Sequence, residues 1–129
     1  MKRFLWIWLP ALAQMAVIFA FSSLSHPDIP FGVSDHSGHF AGYAILGALV
    51  LRGFASGRWA GVRTSAAWRS LLFSSAYGVT DEFHQRVVPG RTPALDDWMA
   101  DTLGAAAAII LAVLVGWMGL APGSEKREV

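Results

Sequence analysis

Residues 103–120 read LGAAAAIILAVLVGWMGL, a stretch of 18 residues without a charged side chain. Such a stretch is typical of a helix that crosses the hydrocarbon core of a bilayer, which is about 30 Å thick. A second stretch of the same length, FLWIWLPALAQMAVIFAF, occupies residues 4–21 and follows Lys2 and Arg3. Of the 129 residues, 54% are hydrophobic and only 15% are charged. The sequence therefore predicts an all-α integral membrane protein.

Two shorter apolar stretches lie between these runs. Each reaches the length of a span only if its helix continues into polar flanking residues, which gives helices at about 34–54 and 66–85. The fourth helix is expected at about 93–120, with Thr92 as its N-cap and Pro93 as its first residue. We thus predict a bundle of about four transmembrane helices within one domain, 1–121, with two spans as the alternative. A polar tail, 122–129, is expected to be disordered.

The basic residues predict the orientation of the chain. With four spans, eight of the ten basic residues fall on one side of the membrane and only Arg86 and Arg91 on the other. Because basic residues favour the cytoplasmic side, both termini are expected in the cytoplasm. An alternative is a cleaved signal peptide at residues 4–21, but the length of this run and the apolar runs after it favour an uncleaved helix. The basic residues form no continuous stripe, which argues against binding of nucleic acid.

This orientation gathers the polar residues at the outer end of the bundle, where all four histidines and seven of the nine acidic residues fall. On the second helix, Asp35 and His39 are i, i+4 neighbours, with Ser34 as the expected N-cap. Ionisable residues within a membrane helix are expected to face the bundle interior and to pair with one another. The alternatives are a solvated loop surface, the reading that we favour for His26 and His36, and hydrogen bonds that only fix helix packing.

The third and fourth helices contribute the rest of this polar cluster. Asp81, His84 and Gln85 share one face of the third helix, whereas Glu82 is expected to turn away and pair with Arg86. On the fourth helix, three residues fall on one side: Asp97, Asp101 and Gly104.

Several of these residues belong to motifs that follow one another along the chain. The motifs are Phe21-Ser22-Ser23, Asp35 with His39-Phe40 and Tyr43, Thr80-Asp81-Glu82-Phe83-His84-Gln85, Pro89-Gly90-Arg91, and Asp97 through Asp101-Thr102-Leu103-Gly104. In this combination the chain resembles the VanZ-like family of small bacterial membrane proteins, named for a teicoplanin-resistance protein. The family pattern often has lysine where this chain has His36, and usually has asparagine where this chain has Asp101.

The resemblance implies a multi-pass protein of the bacterial cytoplasmic (inner) membrane that is linked to the cell envelope and to glycopeptide (teicoplanin) resistance. We favour binding of a lipid or cell-wall precursor headgroup at a site on the outer rim. The candidate binding residues are Asp35, His39, Tyr43, Asp81, Glu82, His84, Gln85, Arg91, Asp97 and Asp101.

Two other functions stay open. The first is a membrane hydrolase or transferase that acts on a lipid-linked substrate, in which a divalent metal is one option. The candidate ligands are His39, Asp81, His84 and Asp97. The second is a structural or partner protein whose polar residues only clamp the helices, and an oligomer is compatible with each function.

Overall fold

The computed structural model of the chain describes residues 1–25 and 35–122. Within these ranges the fold is all-helical, with four helices and no strand, which confirms the prediction of an all-α fold. The helices are α1 (Lys2–Ser22), α2 (Asp35–Phe54), α3 (Thr64–Gln85) and α4 (Leu95–Trp117). The predictions for His26, for the Ser34 N-cap and for nearly all of the C-terminal tail lie outside the described residues.

Helices α2 and α4 pack against each other at very short range and run in the same direction. A Cβ atom added to Gly47 of α2 would lie 2.8 Å from the Cα of Ala105, and one added to Gly104 of α4 would overlap the carbonyl oxygen of Phe40. Small residues allow this approach because they bring no side chain into the gap between the two backbones.

Arg52 of α2 binds carbonyl groups of α1 one turn before Pro10, at the opposite end of the bundle from the polar residues. Pro10 lies inside α1 and has no N–H group, so the carbonyl of Trp6 lacks the helical partner that another residue would supply. The Nη1 atom of Arg52 lies 2.9 Å from the carbonyl oxygen of Ile7 and 3.4 Å from that of Trp6. An arginine near the end of α2 thus satisfies the carbonyl that the proline leaves free.

The two faces of α3 are the reverse of those of a helix in a soluble protein. Its buried residues are Ala66, Ser70, Ser74, Gly78, Asp81 and Gln85. Its exposed residues include Trp68, Leu72, Val79 and Phe83. Soluble helices bury their apolar stripe, whereas helices in lipid associate through small and polar residues. The pattern of α3 therefore differs from that of a soluble amphipathic helix and is compatible with a location in the membrane.

Exposed apolar side chains also occur on the other helices, among them Leu12 of α1, Ile45 of α2 and Ile110 of α4. Within the described residues, two helices, α1 and α4, are long and apolar enough to cross a membrane. A largely apolar exterior is unusual for a soluble monomer and indicates a location in the membrane. Spanning by α2 and α3, and the cytoplasmic position of both termini, stay predictions.

Candidate functional site

The polar residues meet at the end of the bundle where α1 and α3 finish and α2 and α4 begin. The ends of α1 and α3 are joined there by Gln85, whose amide Nε2 lies 3.3 Å from the hydroxyl of Ser22. The first turns of α2 and α4 are joined by His36, whose Nδ1 lies 2.7 Å from Oδ1 of Asp97. We call this region the polar end of the bundle.

His39 is the central residue of the polar end. Its Nδ1 atom lies 2.8 Å from Oδ1 of Asp101, and its Nε2 atom lies 3.9 Å from Oδ2 of Asp97. Together with His36, these residues form a row of alternating imidazoles and carboxylates. The row runs from His36, whose side chain is 60% exposed, to Asp101, whose side chain is fully buried. His36 is exposed, as expected of a solvated residue, and it also lies in ion-pair range of Asp97.

Glu82 belongs to the polar end, and the predicted pair with Arg86 is wrong. Its Oε2 atom accepts a hydrogen bond of 2.9 Å from the backbone N–H of Ala94, the N-cap residue of α4. Alanine has no side-chain oxygen to bind the free N–H groups at a helix start, so a carboxylate from α3 binds there instead. Arg86 lies over the ring of Phe83, 4.7 Å from its centroid.

The start of α4 also differs from the prediction. The helix begins at Leu95, and its N-cap is Ala94 rather than Thr92. The carboxylate of Glu82, rather than the hydroxyl of Thr92, accepts a hydrogen bond at the start of α4. This is possible because the end of α3 lies beside the start of α4.

The side chains of Asp81 and Gln85 form a buried, hydrogen-bonded cluster with the end of α1. Asp81 is 4% exposed and Gln85 is 1% exposed. The Nε2 atom of Gln85 lies 3.4 Å from Oδ2 of Asp81, in addition to its contact with Ser22. The shared face of Asp81 and Gln85 is thus present, and it faces the bundle interior.

His84 lies apart from the other candidate residues. Its Nε2 atom is 2.9 Å from the hydroxyl of Ser23, and its ring stacks on Phe19 with 4.4 Å between centroids. Although His84 and Asp81 are neighbours on α3, the histidine faces the outer side of α1. The contacts of His84 are those of a residue that fixes the end of α1 against α3.

A cavity of about 250 Å³ opens beside the polar end. Its apolar side is formed by α1 residues, namely Val17, Ile18 and Phe21. Its polar lining includes Ser22, Asp35, His39, Tyr43, Asp81 and Arg91. An apolar wall that ends in charged groups is suited to a molecule with a hydrocarbon part and a polar head.

Arg91 closes the charged end of this cavity. Its side chain is only 10% exposed, and Nη1 lies 3.5 Å from Oδ2 of Asp35. Its Nε atom is buried and makes no hydrogen bond within the described residues. The hydroxyl of Tyr43 is likewise buried and without a hydrogen-bond partner in the described part of the chain. Two donors at the cavity are therefore available to an anion.

Two groups of side chains in the described ranges have the arrangement of ligands for a metal ion. They are Asp35 with His39 and Asp97, and His39 with Glu82 and Asp101. The ligand atoms of each group lie within 4.8 Å of one another. Of the four ligands expected from the sequence, His39 and Asp97 belong to these groups, whereas Asp81 and His84 do not.

Sequence reasoning missed three contributors to the site: Ser22, His36 and the apolar wall on α1. His36 is three residues before His39, a spacing that brings both to one side of a helix, so this signal was present. Ser22 belongs to the Phe-Ser-Ser motif but carries no charge to draw attention to it. Nothing in the sequence of α1 marks Val17 and Phe21 as cavity residues rather than as residues that contact lipid.

Comparison with known proteins identifies the family. A family model described as VanZ/LLP1 matches residues 5–116, which is most of the chain. This match confirms the resemblance drawn from the motifs. No curated protein and no solved structure matches the sequence.

Proposed function

The chain belongs to the VanZ/LLP1 family, and from this premise we propose that it is an envelope protein that binds the anionic headgroup of a lipid-linked cell-wall precursor. The headgroup lies against Arg91 in the cavity at the polar end, and the hydrocarbon part lies along α1. Binding, rather than turnover, is the activity that we assign to the site.

The buried guanidinium of Arg91 carries this proposal. A charged side chain that is 10% exposed normally has its donors occupied, because an unmet donor in a dry site is costly. Arg91 has one long contact with Asp35, and its Nε donor is free among the described residues. The planar fork of an arginine matches the oxygens of a phosphate or a carboxylate, and two parallel hydrogen bonds can form.

The shape of the cavity supports a lipid rather than a free anion. Val17 and Phe21 line the cavity and are also 47% and 55% exposed on the outer surface of α1. A chain held at Arg91 by its headgroup can therefore leave the cavity across an apolar wall. A free phosphate has no apolar part that could contact this wall.

We also propose that all four helices cross the membrane, with both termini in the cytoplasm and the polar end on the outer side. The uneven distribution of basic residues supports this orientation. Fusion of alkaline phosphatase to residue 88 or to the C-terminus tests it: activity is expected only for the fusion at 88. Activity of the C-terminal fusion would contradict the orientation.

Arg91→Gln tests the binding of the headgroup. The purified chain in nanodiscs is titrated with a polyprenyl phosphate, and binding is followed by native mass spectrometry. Loss of a charge-assisted contact worth about 1.5–3 kcal/mol is expected to weaken binding roughly ten- to hundredfold. Asp35→Asn is the matched control, because it keeps the guanidinium and removes only the carboxylate that competes for it.

Three results would contradict the proposal. They are unchanged binding in Arg91→Gln, a loss of affinity in Asp35→Asn as large as in Arg91→Gln, and equally tight binding of the uncharged polyprenol. In cells, we expect the wild-type chain to lower teicoplanin sensitivity and Arg91→Gln to lose this effect at equal abundance in the membrane. Release of inorganic phosphate from the bound lipid would favour the hydrolase instead.

A further inference from the structure

Three side chains from three different helices converge beneath the cavity. His39 of α2, Glu82 of α3 and Asp101 of α4 each bring one ligand atom within 4.8 Å of the other two. Ligands of a divalent ion lie about 2.0–2.2 Å from it, so adjacent ligands are about 3 Å apart and opposite ones about 4 Å apart. The 2.8 Å between Nδ1 of His39 and Oδ1 of Asp101 is near the first distance. Small side-chain movements bring the third ligand into range.

Two oxygens of this group are buried without a hydrogen bond. They are Oδ2 of Asp101 and Oε1 of Glu82, and neither has a partner among the described residues. The other oxygen of Glu82 accepts from the N–H of Ala94, and that of Asp101 lies beside Nδ1 of His39, the ring nitrogen that would exchange this hydrogen bond for the metal. Buried carboxylate oxygens nearly always have partners, so these two free oxygen atoms indicate a site for a cation.

Gly78 preserves space at the same place. A Cβ atom on Gly78 would lie 3.0 Å from Oδ2 of Asp101, closer than an ordinary contact. A side chain at this position of α3 would therefore press against the free oxygen of Asp101 and against Trp98.

The negative charges of the group also favour the binding of a cation. When the metal is bound, His39 is a neutral ligand, and Glu82 and Asp101 supply two negative charges. Uncompensated charge inside a membrane bundle is costly, and a divalent cation balances the two carboxylates. The carboxylate of Asp97 is positioned behind His39, 3.9 Å from Nε2. Carboxylates in this position orient metal-binding imidazoles.

We propose that His39, Glu82 and Asp101 bind one divalent transition-metal cation. Imidazole together with carboxylates favours Mn²⁺, Fe²⁺ or Zn²⁺ over Mg²⁺ and Ca²⁺. The second group is the weaker candidate, because Asp35 is 48% exposed and paired with Arg91. Its other acid, Asp97, has Nδ1 of His36 at 2.7 Å from Oδ1, and this oxygen, like the two above, makes no hydrogen bond among the described residues. The metal site does not depend on lipid binding at Arg91, and either can exist without the other.

Metal titration of the full chain tests this site. The purified protein in detergent is stripped with a chelator and titrated with Mn²⁺, followed by electron paramagnetic resonance, and with Zn²⁺, followed by elemental analysis after gel filtration. We expect saturation near one ion per chain and at least tenfold weaker binding in Glu82→Gln and Asp101→Asn. Both variants preserve the size and shape of the side chain, and glutamine at 82 still accepts from the N–H of Ala94.

The controls separate this site from its neighbours. Asp35→Asn and His84→Ala are expected to bind the metal like the wild type, whereas Asp97→Asn loses roughly ten- to hundredfold in affinity through its effect on His39. Absence of saturable binding by the wild type would overturn the site and leave His39 and Asp101 as a hydrogen-bonded clamp. Loss in Asp35→Asn with no change in Glu82→Gln would also overturn it. If Asp101→Asn does not fold, as judged by gel filtration, Glu82→Gln alone decides.

Discussion

Replacing Gly47 by alanine tests the close approach of α2 and α4. The new Cβ would lie 2.8 Å from the Cα of Ala105, whereas carbon atoms in favourable contact are about 3.5–4.0 Å apart. The two backbones must therefore separate by about 1 Å, and overpacking of this kind costs about 1–3 kcal/mol. Because His39 and Asp101 face each other across the same interface, the separation also stretches their 2.8 Å contact.

Gly42→Ala on the same helix provides the matched control. Among the described residues, a Cβ at Gly42 would contact only Ile18, at an ordinary 3.9 Å. Both variants gain the same helix propensity, about 1 kcal/mol, so the difference between them isolates the clash. We expect the free energy of unfolding of Gly47→Ala to be about 1–3 kcal/mol lower than that of Gly42→Ala, measured by denaturant titration in detergent with circular dichroism. Equal stability of the two variants would refute the close packing.

Three further substitutions test contacts at the two ends of the bundle. Gln85→Leu removes one of the side-chain donors to the buried carboxylate of Asp81, the other being the hydroxyl of Ser22. We expect a loss of about 1–3 kcal/mol in the same titration, and a wild-type value would show that Ser22 alone satisfies this carboxylate. Pro10→Ala supplies an N–H group to the carbonyl of Trp6. Arg52→Ala should therefore lower the free energy of unfolding less in the Pro10→Ala background than in the wild type. A double-mutant cycle is expected to give a coupling of about 0.5 kcal/mol or more, and additive effects would argue against the shared carbonyl.

The helices could be predicted from the sequence because hydrocarbon imposes one simple demand, a long apolar run. α1 and α4 satisfy it without help from their neighbours. α3 does not, since its buried face carries serines, Asp81 and Gln85. Its apolar outer face becomes visible only when the structure shows which side is covered.

The polar end was predicted as a region more accurately than as a set of contacts. His39, Asp97 and Asp101 meet as expected, since helix periodicity directs them to the interior. Glu82 and His84 do not follow local spacing, because residues distant in sequence decide their partners: Ala94 for the first, Ser23 and Phe19 for the second. Interactions between helices that are remote along the chain leave no periodic signal.

The cavity wall on α1 affects how a ligand would be found. Val17 and Phe21 present about half of their surface to the outside of the bundle, which in a bilayer means acyl chains rather than water. If the ligand is the lipid that we propose, it enters across this wall by diffusion within the leaflet and does not pass through the aqueous phase. Occupancy then follows the mole fraction of the ligand within the leaflet: adding buffer leaves it unchanged, whereas fusing the vesicles with inert lipid lowers it.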